Sequence, residues 1–323
     1  MSATREERIE RAFFRGGSLS LGNPGYRHAV RRLTEALLKD DLAGGDLTTA
    51  ALRLKANRVC AAVLAREAGV IAGLAEFAFL YGRHNVEVVF EKQDGDPIRA
   101  GDMLLRTEGD QTKLLSLERV GLNLLQRMSG IASASRCLQE RVRESGSSTR
   151  IVGTRKTPWG MLDKRALHLG NAGTHRLGLG DAILIKSNHL AVLARSEEEA
   201  APLAVERAWN LRGKSAFIEV EVQSEAAARA AARTFRRLQE PTAEEYPCVV
   251  MLDNMTPGQV GAVLEMLRRE ELWNHTLVEA SGGISESNLL EYAACGADAI
   301  SVGALTHSAR VLDLHQRILL TQS

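Results

Sequence analysis

The sequence predicts an α/β protein in which a mixed N-terminal region precedes an incomplete parallel α/β barrel, TIM-like, of six or seven strands. Two observations carry this reading. From residue 149 onward, short apolar runs alternate with helix-length segments, the rhythm of a parallel sheet covered by helices. An open doubly wound sheet would place a Gly-rich turn after its first strand. Gly178-Leu179-Gly180, with no third glycine at the required spacing, does not supply one.

The elements follow in order. Residues 1–25 read as an N-terminal extension, either a frayed end or a docking arm, with charges of both signs and no apolar stretch of a secretory signal. A helix is expected over 26–39, where Val30, Leu33 and Leu37 recur at helical spacing, and strands over 58–65 and 86–91. Asp94-Gly95-Asp96-Pro97 and Ala100-Gly101-Asp102 are turn signals on either side of a short extended segment. A long helix over 114–132 closes this first region, 26–133. The barrel region, 134–307, has strands expected at 151–154, 182–186, 216–222, 248–253, 276–280 and 299–302. Helices are expected between them at 192–211, 224–238, 257–272 and 285–295.

Charge and cysteine usage narrow the function. A formal net charge of +1 argues against a broad basic surface for nucleic acid, so any anion site is local. No apolar run approaches the roughly 20 residues needed to span a membrane. Cys60, Cys137, Cys248 and Cys295 are scattered and form no CxxC pair, which predicts reduced, mostly buried thiols and a cytoplasmic protein.

Catalytic groups of a parallel barrel sit at the carboxyl ends of its strands. The first two strand ends gather Arg155, Lys156, Arg176 and Lys186. Lys186 closes an apolar run, Ala182-Ile183-Leu184-Ile185, and is expected to be partly buried, where a cation needs anionic company. Arginine's planar fork suits carboxylate or phosphate. Glu219 and Glu221 share one face by alternation, and Asp253 ends the next strand. These acids either neutralise the cations or hold Mg²⁺ or ribose hydroxyls. His175 and His189 read as packed core histidines or as ligands, with His175, beside Arg176, the better placed for an acid. Ser281-Gly282-Gly283 and Gly303-Ala304 leave backbone N–H groups open where late barrel strands commonly hold phosphate. The residues thus describe a barrel mouth for a phosphorylated sugar and an organic acid.

Thr154-Arg155-Lys156-Thr157, His175-Arg176-Leu177-Gly178-Leu179 and Ile185-Lys186-Ser187-Asn188-His189 resemble the quinolinate phosphoribosyltransferase family, the carboxylating nicotinate-nucleotide pyrophosphorylases. The likeness continues through Gly45-Asp46-Leu47-Thr48-Thr49, Glu118-Arg119, Glu219-Val220-Glu221-Val222, Met251-Leu252-Asp253-Asn254-Met255 and Glu279-Ala280-Ser281-Gly282-Gly283-Ile284. The resemblance implies an N-terminal α/β sandwich ahead of the barrel, and a C-terminal helix over 308–320, within a tail segment 308–323, that returns to the first domain. It also implies a homodimer or larger oligomer with a shared active site. By the same resemblance Arg119, Arg155, His175, Arg176 and Lys186 surround quinolinate, with Arg119 reaching over from a neighbouring subunit. Lys156, Glu221 and Asp253 meet the ribose, pyrophosphate or Mg²⁺ of phosphoribosyl pyrophosphate. Lys156, Lys186, Glu221 and Asp253 are then the catalytic set, and Ser281, Gly282, Gly283, Gly303 and His307 seat the 5′-phosphate. Mg²⁺ is expected, and no organic cofactor.

The chain departs from the family pattern at Gly170-Asn171-Ala172, where three glycines are usual, at Thr174 for asparagine, at Pro158-Trp159-Gly160-Met161, and at Ser187 for an acid. These positions bear on the choice of acid. The alternatives are a transferase for nicotinate or another heteroaromatic acid, a Schiff-base lyase using Lys186, and a non-catalytic binding barrel.

Overall fold

The computed structural model describes residues 3–54, 57–242 and 246–319. Its strands are β1 (Arg58–Ala65), β2 (Gly69–Val70), β3 (Glu87–Phe90), β4 (Pro97–Ile98) and β5 (Met103–Asp110). Then come β6 (Arg150–Val152), β7 (Ile183–Ile185), β8 (Ile218–Val222), β9 (Cys248–Asp253), β10 (Leu277–Ser281), β11 (Ala299–Ser301) and β12 (Leu314–Leu319). Two compact units result. One comprises Gly17–Arg136, Pro158–Asn171 and Ser308–Ser323, the other Met1–Gly16, Cys137–Thr157 and Ala172–His307.

In the first unit the strands pair antiparallel in the order β12-β1-β5-β3, with β2 and β4 as a separate small ladder. The helix expected over 26–39 runs Pro24–Asp41, started by Asn23, whose side chain accepts the Gly25 and Tyr26 N–H groups. The expected C-terminal helix is a strand, and residues 320–323 lie outside the described residues. Among the described residues of this tail, Leu312 just before the strand and Leu314 at its start are buried, two apart as in an extended chain. The tail also pairs with β1 along its free edge, Ala65 opposite Leu314 and Cys60 opposite Leu319, and so satisfies a row of backbone groups that would otherwise lie bare.

The second unit is the barrel. Its strands are parallel in the order β6-β11-β10-β9-β8-β7, a ring open between its first two members in sequence. Gly173 partly fills the opening. Its N–H donates to the Ile151 carbonyl at 2.8 Å and its own carbonyl accepts the Gly153 N–H at 2.9 Å, a one-residue parallel bridge beside β6. Helices Glu197–Trp209, Glu225–Gln239, Pro257–Arg269 and Leu289–Cys295 follow the strands. The first of them starts later than the expected 192, because the Ser196 hydroxyl caps it by accepting the Glu199 N–H.

Strand alternation stacks the barrel interior in layers. Val152, Ala182, Phe217, Val249, Leu277 and Ala299 form an apolar floor with Ile9, Ala12 and Phe13. Two residues further along the same strands come Leu184, Glu219, Met251, Glu279 and Ser301, and above them Lys186, Glu221, Asp253 and Ser281. The floor is completed by the N-terminal helix Arg5–Phe13, which begins with a Thr4/Glu7 capping box. Arg5 grips Asp298 with two nitrogens and also donates to the Trp273 and Thr276 carbonyls. The N-terminal extension is therefore docked from its first turn. Among the cysteines only Cys248 is buried. Cys137 is exposed and Cys60 and Cys295 are half-buried, against the expectation of mostly buried thiols, and all four are free. Scattered spacing argues against pairing but does not determine burial.

Truncating the floor tests this stacking. Phe217→Ala removes a fully buried ring and is expected to cost about 3–5 kcal/mol of stability, read as a lowered denaturation midpoint.

Candidate active site

A cavity of about 320 Å³ opens at the carboxyl ends of the barrel strands. Thr154, Arg155, Lys156, His175, Arg176, Leu184, Lys186, Glu221, Met251, Asp253, Glu279, Ser281 and Ser301 line it. Of the residues singled out in the sequence, Arg155, Lys156, His175, Arg176, Lys186, Glu221, Asp253 and Ser281 are thus brought together. Gly282, Gly283, Gly303 and His307 are not among the lining residues, although the Gly303 position lies against His307 and Lys156. Arg119 stands exposed on the long helix Gln111–Glu144 of the other unit and is also absent from the lining.

The cations differ in setting. Arg176 is buried and donates to the Ala182 carbonyl. Burial and the neighbouring Arg155 both lower its pKa, a sign of positive charge crowded into the pocket wall. The Lys186 side chain is 51% exposed, contrary to the partly buried lysine expected. The reason is that β7 ends at Ile185, so Lys186 already stands at the cap of the next short helix, Ser187–Ala191. Its ammonium is 3.9 Å from Glu221, whose other oxygen accepts the Ser187 N–H. His189 Nδ1 accepts the Lys186 N–H at 2.8 Å, which assigns that histidine to the helix start.

The opposite wall carries the oxygen groups. One Asp253 oxygen accepts from the Gln223 and Asn254 amides, which holds the carboxylate at the end of β9. The Ser301 hydroxyl donates to that of Ser281 at 2.8 Å. Gly282 has a φ of 91°, and a side chain there would meet Asn254 backbone and side-chain atoms at 2.4–2.7 Å, so the turn after β10 requires glycine.

At the base of the cavity lies a cluster only partly anticipated, with His175 and Glu279 in the lining. His175 Nε2 is 3.0 Å from Glu219 and 3.2 Å from Glu279, and both carboxylates are fully buried. Glu279 was readable in principle: Val278-Glu279-Ala280 sets one acid inside an apolar strand, as Ile218-Glu219-Val220 does. Burial, reinforced by Glu279, lifts the Glu219 pKa to about 7. Burial alone would lower that of His175, but Glu219 and Glu279 outweigh it and carry the value to about 9. The Arg176 N–H, 2.7 Å from Nδ1, opposes a second ring proton, since an imidazolium would place one in that contact. Nε2 thus faces both acids, whose four oxygens otherwise have no hydrogen-bond partner among the described residues. The ligand atoms of this trio lie within 4.8 Å of one another.

Two departures from the family pattern also find their place. Asn171 takes a φ of 62°, a left-handed conformation that asparagine tolerates better than most residues. The Thr174 hydroxyl bonds to the backbone of Phe13 and Arg15.

The fold and the cavity define a barrel-borne site in which a cationic wall faces carboxylates and hydroxyls across the strand ends. The chain matches the family model described as quinolinate phosphoribosyl transferase, C-terminal domain, over residues 131–317, and the corresponding N-terminal domain over residues 46–129. It is 37% identical over 285 residues to a probable carboxylating nicotinate-nucleotide pyrophosphorylase of Methanothermobacter thermautotrophicus, covering 87% of this chain and 96% of that one. To the carboxylating nicotinate-nucleotide pyrophosphorylase of Mycobacterium leprae it is 36% identical over 295 residues, covering 89% and 95%. The solved nicotinate-nucleotide pyrophosphorylase of Francisella tularensis superposes with a TM-score of 0.76 at 26% identity, covering 90% and 96%. The chain belongs to the quinolinate phosphoribosyltransferase family.

The buried acid pair gives a pH signature. A carboxyl raised from its ordinary 4.5 to about 7 favours the folded state while protonated. That contribution is complete below 4.5 and is lost as pH rises through 7. Stability is expected to fall between pH 5 and 8 in thermal melts, and Glu219→Gln to flatten that fall.

Proposed function

We propose that this chain transfers the phosphoribosyl group of phosphoribosyl pyrophosphate to quinolinate, giving nicotinate mononucleotide, pyrophosphate and CO₂. The observation that carries this is one cavity whose wall combines Arg155, Lys156, Arg176 and Lys186 with Glu221, Asp253, Ser281 and Ser301. Four cations in one cavity favour a substrate with two carboxylates over one with a single carboxylate. Nicotinate, with one, would leave part of the set uncompensated, a cost in a partly buried pocket.

Arg155, Arg176 and Lys186 hold the diacid and direct its ring nitrogen toward the sugar, which turns an encounter into an oriented attack. The nitrogen lone pair forms the bond to the anomeric carbon as the bond to pyrophosphate breaks. Glu221 and Asp253 stand where positive charge grows on the ribose and stabilise it electrostatically. The ring nitrogen, now cationic, accepts the electron pair of the adjacent carbon–carboxylate bond. CO₂ departs and a proton replaces it on the ring. Ser281, Gly282, Gly283, Gly303 and His307 surround the remaining phosphate seat, and Lys156 lies between that seat and the ribose.

Mg²⁺ fits the oxygen donors present, since Glu221 and Asp253 are hard ligands on adjacent strands. They would hold it, directly or through water, to neutralise the pyrophosphate. Arg119, exposed on its helix, suits the acid site of a second copy, and we read the assembly as a homodimer or larger oligomer with shared sites. Among the described residues no helix is long and apolar enough to cross a membrane, and four free thiols suit the reducing cytoplasm. A Schiff-base role is disfavoured for Lys186, which is half exposed and faces Glu221 rather than apolar surroundings.

The test is incubation with phosphoribosyl pyrophosphate, Mg²⁺ and either quinolinate or nicotinate, following nucleotide and CO₂. Quinolinate is expected to yield both. Arg155→Ala and Lys186→Ala are each expected to lower kcat/KM by about 10²-fold or more, and Asp253→Asn to reduce kcat by about 10²–10³. Product from nicotinate alone would overturn the diacid, and silence with both would overturn the reading.

A further inference from the structure

The proposed reaction uses the barrel mouth, yet the segment that carries its acid-binding residues is bonded on the far side to the first sixteen residues of the chain. The Phe13 carbonyl accepts the His175 N–H at 3.0 Å and the Thr174 hydroxyl at 3.2 Å. The Thr174 hydroxyl in turn accepts the Arg15 N–H at 3.2 Å. The Arg15 guanidinium grips Asp181, Nε at 3.0 and 3.1 Å from its two oxygens and Nη2 at 2.8 Å. Asp181 itself accepts the Leu177 N–H at 2.8 Å. Both neighbours of Arg176 are therefore fixed on residues 13 and 15, one directly and one through Asp181.

Such fixing is needed here. His175 has a φ of 54°, a left-handed conformation that costs a side-chain-bearing residue free energy and persists only where its surroundings impose it. The Phe13 ring packs 5.6 Å from the imidazole, Phe217 meets it edge-on at 5.4 Å, and the two phenyl rings lie 5.7 Å apart, so the three rings form one cluster. Gly173 admits the approach. A side chain there would come within 3.1 Å of the Phe13 carbonyl and 2.6 Å of Val152. The end that does the holding is itself secured, since Arg8 donates to the Asn274 carbonyl and Arg150 pairs with Glu6 and Glu10.

We infer that residues 13–15 are positioning residues of the acid subsite, setting the backbone from Gly173 to Leu177 and hence the direction of the Arg176 guanidinium. The segment lies outside both family-matched ranges, 46–129 and 131–317. It rests on the reading that Arg176 holds the acid. The Arg15–Asp181 clamp is the point to cut, because removing the whole helix would expose the apolar floor and threaten folding.

The experiment compares wild type, Arg15→Ala and Arg15→Lys in two assays. In steady-state kinetics, Arg15→Ala is expected to raise the KM for quinolinate about tenfold, with the KM for phosphoribosyl pyrophosphate unchanged and partial recovery in Arg15→Lys. In amide hydrogen exchange without substrate, the His175 and Leu177 N–H groups are expected to exchange about tenfold faster in Arg15→Ala. Equal shifts in both KM values, or unchanged exchange at these amides, would overturn the inference even where wild type turns over quinolinate. A wild type inactive toward quinolinate, with exchange still accelerated in the variant, would overturn the functional reading and uphold the tether.

Discussion

Two carboxylates sealed inside the barrel, Glu219 and Glu279, constrain everything around the site. A buried acid without a partner costs several kcal/mol, and the His175 imidazole stands 3.0 and 3.2 Å from the two carboxylates. That requirement fixes the imidazole in the ring interior. The other imidazole nitrogen then receives the Arg176 N–H, so the position of the arginine follows from the position of the histidine. A positive φ at His175 turns the chain at this point. The cationic wall of the cavity is thus built on an ionic cluster one layer below it.

The layering explains how one barrel serves both stability and chemistry. Each strand contributes residues at intervals of two, and the character of those residues changes from apolar at the floor, through His175 and the paired acids, to ionic and hydroxyl groups at the mouth. The floor excludes water from beneath the acids, which strengthens their hold on the histidine. His175 lines the cavity, its Nδ1 accepting the Arg176 N–H and its Nε2 facing the two acids.

Much of this was legible in the sequence. The strands at 58–65 and 248–253 coincide with β1 and β9, because apolar runs bounded by turn residues leave little freedom. Strand-end placement brought Arg155, Lys156, Arg176, Lys186, Glu221 and Asp253 to one cavity. Elements fixed by distant partners were not legible. The tail becomes a strand because β1 offers an edge. The long helix, expected to stop at 132, continues to Glu144 through Gly130. Within it a side chain at Gly130 would collide with the Arg310 carbonyl, so that glycine serves close packing. The docked N-terminal helix likewise depends on Asp298 and the Trp273 carbonyl, more than 250 residues away in sequence.

The central claim is that the acid sits against the cationic wall and the phosphoribosyl group against the carboxylates and hydroxyls. A crystal structure with quinolinate and a non-reacting analogue of phosphoribosyl pyrophosphate tests it most directly. The account predicts quinolinate carboxylates on Arg155 and Arg176, ribose hydroxyls near Glu221 and Asp253, and the 5′-phosphate at the Ser281–Gly283 and Gly303 turns. Quinolinate bound at those turns, or away from Arg155 and Arg176, would contradict it.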